Sequence, residues 1–186
     1  MSTERNFAFV CFTNKEDASR IISDQLIKPG FRILTTGHRL LRQDVLELEV
    51  LHQEVNCKYF QYKKGNDVSI ICFNQALEYG LELSNLMKKQ SISSSLFSIN
   101  SHLQANYQFI FDDINLTKNL IIIDDSKSRN RLSDKFLSEV LSVCKLTRYK
   151  IVNRQIQVDD YFPRKDILEI DYTDIINNIL IVNKSN

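Results

Sequence analysis

The sequence predicts an α/β fold with three layers, in which helices cover both faces of a mostly parallel five-stranded sheet, with a short N-terminal βαβ extension. Two observations predict it. Between Asp67 and Asp125, apolar segments typical of buried strands alternate with amphipathic segments typical of helices. The same alternation recurs nearer both ends of the chain. Alternating strands and helices are typical of parallel sheets, whose binding sites lie at the loops after the carboxyl ends of the strands.

The amino-acid composition argues against a nucleic-acid-binding or membrane-spanning protein. The chain has 186 residues, 43% of them hydrophobic and 25% charged, with a formal net charge of +1. This balance gives no electrostatic support for binding nucleic acid. The opening MSTERNFAF lacks an export signal, and no apolar run approaches the ~20 residues of a membrane span. We expect a cytoplasmic protein without membrane contact. Four separated cysteines are expected to be reduced, mostly as core residues: Cys11, Cys57, Cys72 and Cys144.

The first 36 residues predict a strand, a helix and a strand. FAFVCF is a short apolar run, and Thr13 and Glu16 have the spacing of a capping box, in which each side chain binds the backbone amide of the other residue. Pro29 and Gly30 end the helix before FRILTT, the second strand. The helix residues expected to share a buried face are Ala18, Ile21, Ile22, and Gln25 or Leu26.

Residues 37–66 have mixed periodicity and are interpreted as a linker with one or two short strands, one of them near CKYFQYKKGN. Residues 74–89 predict a helix with a broad apolar face. That face contains Ala76, Leu77, Gly80, Leu81, Leu83 and Met87. SLFSIN predicts the next strand.

The helices and strands after SLFSIN are predicted from the same apolar patterns. A short third helix precedes NLIIIDD, a buried strand that ends in two acids. After the polar basic loop SKSRNRLSD come a fourth helix, the strand RYKIVN, a loop with Pro163 and a last helix over Tyr172–Val182. The apolar positions of the three helices are Tyr107, Ile110, Phe111 and Ile114; Phe136, Leu137, Val140, Leu141 and Cys144; and Ile175, Ile176, Ile179 and Leu180.

Several strings, taken in order, resemble one family. DVSIICFNQALEYGLELSNLMKKQSIS, SLFSIN, NLIIIDD and DYFPRKDILEIDYTDIINNI are similar to the carboxyl-terminal domain of transketolases and of the beta subunits of thiamine-diphosphate 2-oxoacid dehydrogenases. FTNKEDASRIISDQLIKPGFRILTTGHRLLR resembles the end of that family's pyrimidine-binding domain. The resemblance divides the chain into a pyrimidine-domain remnant at 1–45, a linker at 46–66 and a transketolase C-terminal-like domain at 67–186.

The resemblance also implies what this sequence lacks. In the family, a separate domain with a G-D-G type motif holds the diphosphate and Mg²⁺, and a glutamate early in the pyrimidine-binding domain activates the cofactor; neither region is found here. We therefore expect no cofactor on this chain alone, and thiamine diphosphate with Mg²⁺ only in a complex with a partner chain. The family's Gly-Gly-x-Gly loop is replaced by DDSKSRNRLSD, which has no glycine.

A first candidate site follows the FRILTT strand. In transketolases an arginine near this point contacts the substrate phosphate, and either Arg39 or Arg42 could match it, with His38 beside them. Arginine suits this role because it can grip phosphate through two parallel hydrogen bonds. The alternative is that these side chains form surface or subunit contacts.

A second candidate is an anion site at Lys127, Arg129 and Arg131, just before a helix whose first amides could bind the same anion. Ser128 and Ser133 are the candidate caps. The alternative is a solvated loop.

The remaining polar residues predict no catalytic or metal site. Asp124 and Asp125 are interpreted as turn or capping residues, because no third metal ligand has a suitable spacing. His52 and His102 have no Cys or Asp at a catalytic spacing and receive no role.

The leading hypothesis is a subunit of a split thiamine-diphosphate enzyme of the transketolase or 2-oxoacid dehydrogenase type, contributing assembly and the edge of the active site. The first alternative is a non-catalytic interaction or regulatory module derived from that domain, and the second is an independent anion-binding protein. Unpaired strand edges in the first unit predict a homodimer, or a heteromer with a chain that carries the cofactor-binding domains.

Overall fold

The computed structural model describes residues 7–37, 40, 46–102, 105–154 and 168–183. Within these ranges the strands are β1 (Phe7–Phe12), β2 (Phe31–Thr36), β3 (His52–Gln53), β4 (Tyr59–Lys63), β5 (Val68–Phe73), β6 (Ser94–Ile99), β7 (Asn119–Asp124) and β8 (Arg148–Asn153). The helices are α1 (Lys15–Leu26), α2 (Leu77–Lys89), α3 (Gln108–Thr117), α4 (Leu132–Val143) and α5 (Tyr172–Asn183).

The main sheet has the strand order β3-β4-β6-β5-β7-β8. Strands β5 to β8 are parallel, whereas β4 runs antiparallel to β3 and β6. The predicted fold class, α/β with a mostly parallel sheet, is confirmed. The described sheet has six strands where five were expected, because His52–Gln53 pairs with β4 at the edge. The domain boundaries at 45 and 66 remain a prediction, although β4 joins the main sheet from within residues 46–66.

Helices cover both faces of this sheet, as the three-layer prediction required. Ile70 and Cys72 of β5 face α2 and α5, whereas Ile71 and Phe73 face α3 and α4. Because β5 is buried on both faces, it is a continuous apolar run without alternation. The helix residues that fill the two layers include Leu83, Met87 and Ile175 on one side and Ile110, Phe136 and Val140 on the other.

Residues 7–36 form a separate parallel pair, β1 beside β2, connected by α1. Helix α1 begins one residue later than the sequence predicts. Its N-cap is Asn14, and the capping box uses Asp17; the predicted Thr13–Glu16 box is therefore wrong. The shift follows from Asp17, whose carboxylate accepts the backbone amides of both Thr13 and Asn14.

The amphipathic predictions hold for most core positions and fail at two. Of the alternatives Gln25 and Leu26, Gln25 is the buried residue. Ile22 and Leu141 were expected inside but are 38% and 50% exposed. Each lies beside a correctly predicted core residue one position away, such as Ile21 or Val140, because the apolar stripe on these helices is wider than the surface they bury.

Helix α2 starts at Leu77, three residues after the predicted start. Asn74 causes the delay, because it takes a left-handed φ of 57° at the end of β5. Its neighbour Ala76 is the N-cap and makes no side-chain capping bond.

A buried polar network ties α3 to the amino ends of β5 and β6. The Asp113 carboxylate accepts hydrogen bonds from Ser69 (2.7 Å) and Ser95 (3.0 Å) and pairs with Lys64. These partners satisfy a carboxylate that burial would otherwise destabilise. Three of the four free cysteines are buried as expected, and Cys11 is half-buried. None of the helices in the described ranges combines the length and the apolar character needed to cross a bilayer.

Candidate functional site at the carboxyl ends of the strands

The strand order creates a switch point between β5 and β7. The chain leaves β5 toward α2 on one face of the sheet, and it leaves the neighbouring strand β7 toward α4 on the opposite face. In open α/β sheets the loops diverge at such a point, and ligands bind outside the carboxyl ends of the strands there.

Asp124 lies at this point and joins the two loops. It is fully buried, and its Oδ1 accepts hydrogen bonds from Asn74 Nδ2 (2.8 Å) and from the Ser126 amide (2.9 Å). The bond to Ser126 is the turn role that the sequence predicts. The bond to Asn74 was not foreseen, and it fixes the side chain of a residue in the left-handed region, which asparagine adopts more readily than most residues other than glycine.

A buried ion pair connects the end of β8 to the end of β7, and a hydrogen bond connects the end of β8 to the start of α4. Arg154 Nη2 lies 2.5 Å from Asp125 Oδ1, and both side chains are buried. Arg131 Nη2 in turn donates to the Arg154 carbonyl at 2.8 Å. With Asn74 and Asp124, these residues form a continuous series of contacts from the end of β5 to the first turn of α4.

The basic loop is solvent-facing at Lys127 and Arg129, whereas Arg131 is half-buried. The predicted capping serines do not cap α4. The N-cap is Arg131, without a side-chain capping bond, and Ser128 Oγ accepts the amide of Asn130 instead. Ser133 is fully buried, and its hydroxyl has no hydrogen-bond partner among the described residues.

A second polar cluster fastens the N-terminal unit to the carboxyl end of β6. The buried Asp17 carboxylate accepts hydrogen bonds from Thr13 Oγ1 (2.5 Å) and Asn100 Nδ2 (2.7 Å), in addition to the two backbone amides at its own helix. Asn100 also exchanges two bonds of 2.8 Å with the backbone of Cys11. Burial raises the pKa of Asp17, and these hydrogen bonds oppose that rise. We call Thr13, Asp17 and Asn100 the clasp.

Gln75, which follows β5, contacts both the end of β1 and the start of the loop after β2. Its Nε2 donates to the Phe12 carbonyl at 2.9 Å. The backbone at Gly37 lies against it, since a Cβ at Gly37 would be 2.5 Å from Gln75 Cδ. The predicted substrate residues His38, Arg39 and Arg42 lie outside the described residues, but Gly37, which precedes them, lies against Gln75.

Sequence reasoning missed Asn74, Asn100, Asp17 and Arg154. The first two had a readable signal, because each directly follows a buried strand, where parallel-sheet geometry gathers polar side chains. Nothing in the sequence shows the pairing of Arg154 with Asp125, which are 29 residues apart.

The other polar residues show structural roles. His52 stacks on Phe109, with ring centroids 3.8 Å apart, and burial lowers the pKa of His102. No group of three or more His, Cys, Asp or Glu side chains within the described ranges could hold a metal ion. At the opposite end of the sheet, an open groove of about 530 Å³ separates β8 from α5, lined by residues that include Leu120, Arg148, Lys150, Ile175 and Asn178.

Comparison with solved structures identifies the architecture. A split-gene transketolase, solved as an inactive beta4 tetramer, superposes on 95% of this chain with a TM-score of 0.66 and 16% sequence identity. The crystal structure of transketolase from Campylobacter jejuni subsp. jejuni NCTC 11168 superposes on 81% of it, with a TM-score of 0.56 and 13% identity. The chain has a transketolase fold.

The resemblance seen in the short sequence strings is thus confirmed at the level of the fold. The match spans 57% of the split-gene transketolase chain and 22% of the C. jejuni transketolase. No family model matches the sequence, and no curated protein does either.

Proposed function

We propose that this chain is a subunit of a split thiamine-diphosphate-dependent enzyme of the transketolase type. One observation carries the proposal: nearly the whole chain superposes on a split-gene transketolase, across both the N-terminal unit and the main sheet. Following the sequence resemblance, the proposal assigns thiamine diphosphate and Mg²⁺ to a site that a partner chain supplies or completes.

The N-terminal unit supplies a surface for such a partner. Val10 and Leu34 lie on the face of the β1–β2 pair that packs into the core. On the opposite face Phe9 is 39% exposed and Phe31 is 64% exposed, with Ile33 half-buried between them. Parallel strands are ordinarily covered on both faces. Among the described residues, β2 pairs with β1 alone, so its outer edge is open to a further strand.

We infer that the partner is an α/β chain that places a parallel strand beside β2 and covers Phe9 and Phe31. The proposed role of this subunit is assembly and closure of the edge of the active site. In this arrangement Arg39 or Arg42 would bind an anionic substrate group, because their loop begins beside the switch point. A second copy of this chain on the same surface is the alternative occupant.

Co-expression with a candidate partner chain that carries the cofactor-binding domains tests the assembly. We expect a heteromer by light scattering, and thiamine-diphosphate-dependent ketol transfer only when both chains are present. Phe31→Lys should abolish the heteromer. Leu141→Lys, a similarly exposed apolar residue on α4, is the matched control and should leave it intact. A chain that stays monomeric and adds no activity with any such partner would contradict the proposal.

The substrate role is tested within that complex. Arg39→Gln or Arg42→Gln should raise the KM for a phosphorylated substrate by about tenfold or more, because a charge-assisted contact to phosphate is lost. The kcat should change less, since neither residue is placed at the reacting atoms. Unchanged KM values in both variants would leave these arginines as surface or subunit contacts.

A non-catalytic interaction or regulatory module remains the second candidate. The glycine-free loop from Asp124 to Asp134 favours it, because the family's tight Gly-Gly-x-Gly backbone cannot form there without glycine. The co-expression experiment separates the two, since a regulatory module would bind a partner whose activity does not require it.

A further inference from the structure

The switch point between β5 and β7 contains buried polar groups without hydrogen-bond partners in the part of the chain that the structure describes. Asp124 Oδ2 and Ser133 Oγ are both buried, and neither has a hydrogen-bond partner among the described residues. Arg131 Nε is also buried and also has no hydrogen-bond partner among the described residues. Buried polar atoms are nearly always paired in folded proteins, so three orphans in one region indicate a ligand that completes them.

The three groups belong to one region. The Asp124 carboxylate lies between the loops after β5 and β7, since Oδ1 is bonded to Asn74 and to Ser126. The chain from Ser126 leads directly into α4, where Arg131 is the N-cap and Ser133 is the second helical residue. The contact from Arg131 to the Arg154 carbonyl holds the start of α4 against the end of β8.

The start of α4 and the Asp124 carboxylate favour different ligand groups. At α4, the first amides of a 12-residue helix lack a side-chain cap, and Arg129 and Arg131 precede them, so an anion is favoured. At Asp124, a buried carboxylate oxygen can only accept a hydrogen bond, so it suits a hydroxyl donor. Among nearby acids, Asp125 is neutralised by Arg154, and Asp134 is exposed in the first turn of α4.

We propose that this region binds a small phosphate ester whose carbon chain carries a hydroxyl group. The phosphate contacts the first amides of α4, the Ser133 hydroxyl, Arg129 and Arg131, and the hydroxyl donates to Asp124 Oδ2. The site lies within this chain, so its test does not depend on the split-enzyme proposal.

Calorimetric titration of the isolated chain provides the test, with ribose 5-phosphate and AMP as probes and with ribose and inorganic phosphate as controls. We expect one phosphate ester to bind at least about tenfold more tightly than either control. Preference between ribose 5-phosphate and AMP shows whether the ligand is a sugar phosphate or a nucleotide. No binding of either ester, or binding no tighter than that of inorganic phosphate, would overturn the proposal.

Three variants assign the contacts. Ser133→Ala removes a hydroxyl that has no hydrogen-bond partner among the described residues, so it should weaken ester binding without lowering stability. Arg129→Gln should weaken the ester and inorganic phosphate alike, whereas Lys145→Gln, the same charge change beyond the far end of α4, should weaken neither. Asp124→Asn should weaken the ester and leave phosphate unchanged. Because Asp124 is buried, the exposed Arg129 and the Ser133 variant decide the outcome if Asp124→Asn fails to fold, and unchanged binding in both would refute the site.

Discussion

At the scale of single residues, Asp17 has the largest structural role outside the apolar core. It is fully buried and caps its own helix while it binds Asn100 at the end of β6. Its hydrogen bonds therefore link the local structure of α1 to the position of the whole N-terminal unit. No other described residue of α1 makes a side-chain bond to both units.

Asp17→Asn should lower the free energy of unfolding by about 2 kcal/mol or more, because the amide replaces one acceptor oxygen with an NH₂ donor that faces other donors and leaves buried donors without an acceptor. Urea unfolding at neutral pH measures the change. Asp24→Asn, in the same helix but bonded only to Gln25 and Lys28 at its surface, is the control and should change stability by less than about 1 kcal/mol.

The contribution of Asp17 to the free energy of unfolding should change with pH in one direction. Because burial raises the pKa of Asp17 above its ordinary value of 3.8, the unfolded chain loses this proton first as the pH rises. The stability that Asp17 contributes is therefore greatest below pH 3.8 and falls as the pH rises toward the folded pKa. We expect the stability of the native protein minus that of Asp17→Asn to decrease with rising pH across this window in a series of urea titrations. A difference that increased with pH would mean that the hydrogen-bond donors around Asp17 hold its pKa below 3.8.

At the scale of elements, α2 packs on the sheet through a glycine. A Cβ at Gly80 would lie 2.3 Å from Cys72 Sγ and 2.9 Å from Leu96 Cδ1, closer than real side chains approach. The glycine thus sets the distance between the helix and β5 and β6, and the loss of helix propensity is the cost of that close approach.

Gly80→Ala should therefore destabilise the protein. We expect a loss of about 1–3 kcal/mol from overpacking, offset in part by a gain of about 1 kcal/mol in helix propensity. Thermal and urea unfolding measure the net effect. The matched variant is Gly80→Ala with Cys72→Ala, which removes the Sγ that crowds the new methyl group. This double variant should lose less stability than the sum of the single variants, and simple additivity would contradict the packing described.

Element types were predictable here because buried parallel strands and amphipathic helices have strong periodic signals. VSIICF and NLIIID are apolar at successive positions because both of their faces are covered. Helix starts were less predictable, because side-chain contacts decided them: Asp17 moved the start of α1, and Asn74 moved the start of α2. The short strand β3 had no signal of its own, since two residues carry no periodicity.

The candidate site was only partly predictable for a similar physical reason. The sequence located the loop after β7 and the turn role of Asp124. It did not locate Asn74 or Arg154 as their partners, because both contacts join residues far apart in sequence and depend on strand order. Strand order itself, with β5 between β6 and β7, cannot be read from local patterns.

At the scale of the whole molecule, the difference in burial between the N-terminal unit and the main sheet predicts two units of unequal stability. The main sheet is buried on both faces, whereas the β1–β2 pair is covered on one face among the described residues and is held to β6 by the clasp. Units with fewer buried contacts open more readily than the core.

The variant Asn100→Ala should reveal the lower stability of the N-terminal unit compared with the main sheet. It removes the side-chain bonds to Asp17 and to the Cys11 carbonyl. We expect amide hydrogen exchange in β1 and α1 to accelerate by about tenfold, while the amides of β5 and β7 change little. Asn119→Ala, which removes an amide bonded to Asp67 at the other end of the sheet, is the control and should leave β1 and α1 unaffected. Uniform acceleration across both units would show that they unfold together.

The clasp also has a consequence for how the two units find each other during folding. Apolar surfaces tolerate sliding, but the buried Asp17 carboxylate with its five oriented donors does not. A displacement of one residue along β1 would remove the Cys11 backbone from Asn100 and would leave Asp17 without the Asn100 amide. Polar matching at this junction therefore specifies a single docking register for the N-terminal unit, and misdocked arrangements are excluded by the cost of an unpaired buried charge.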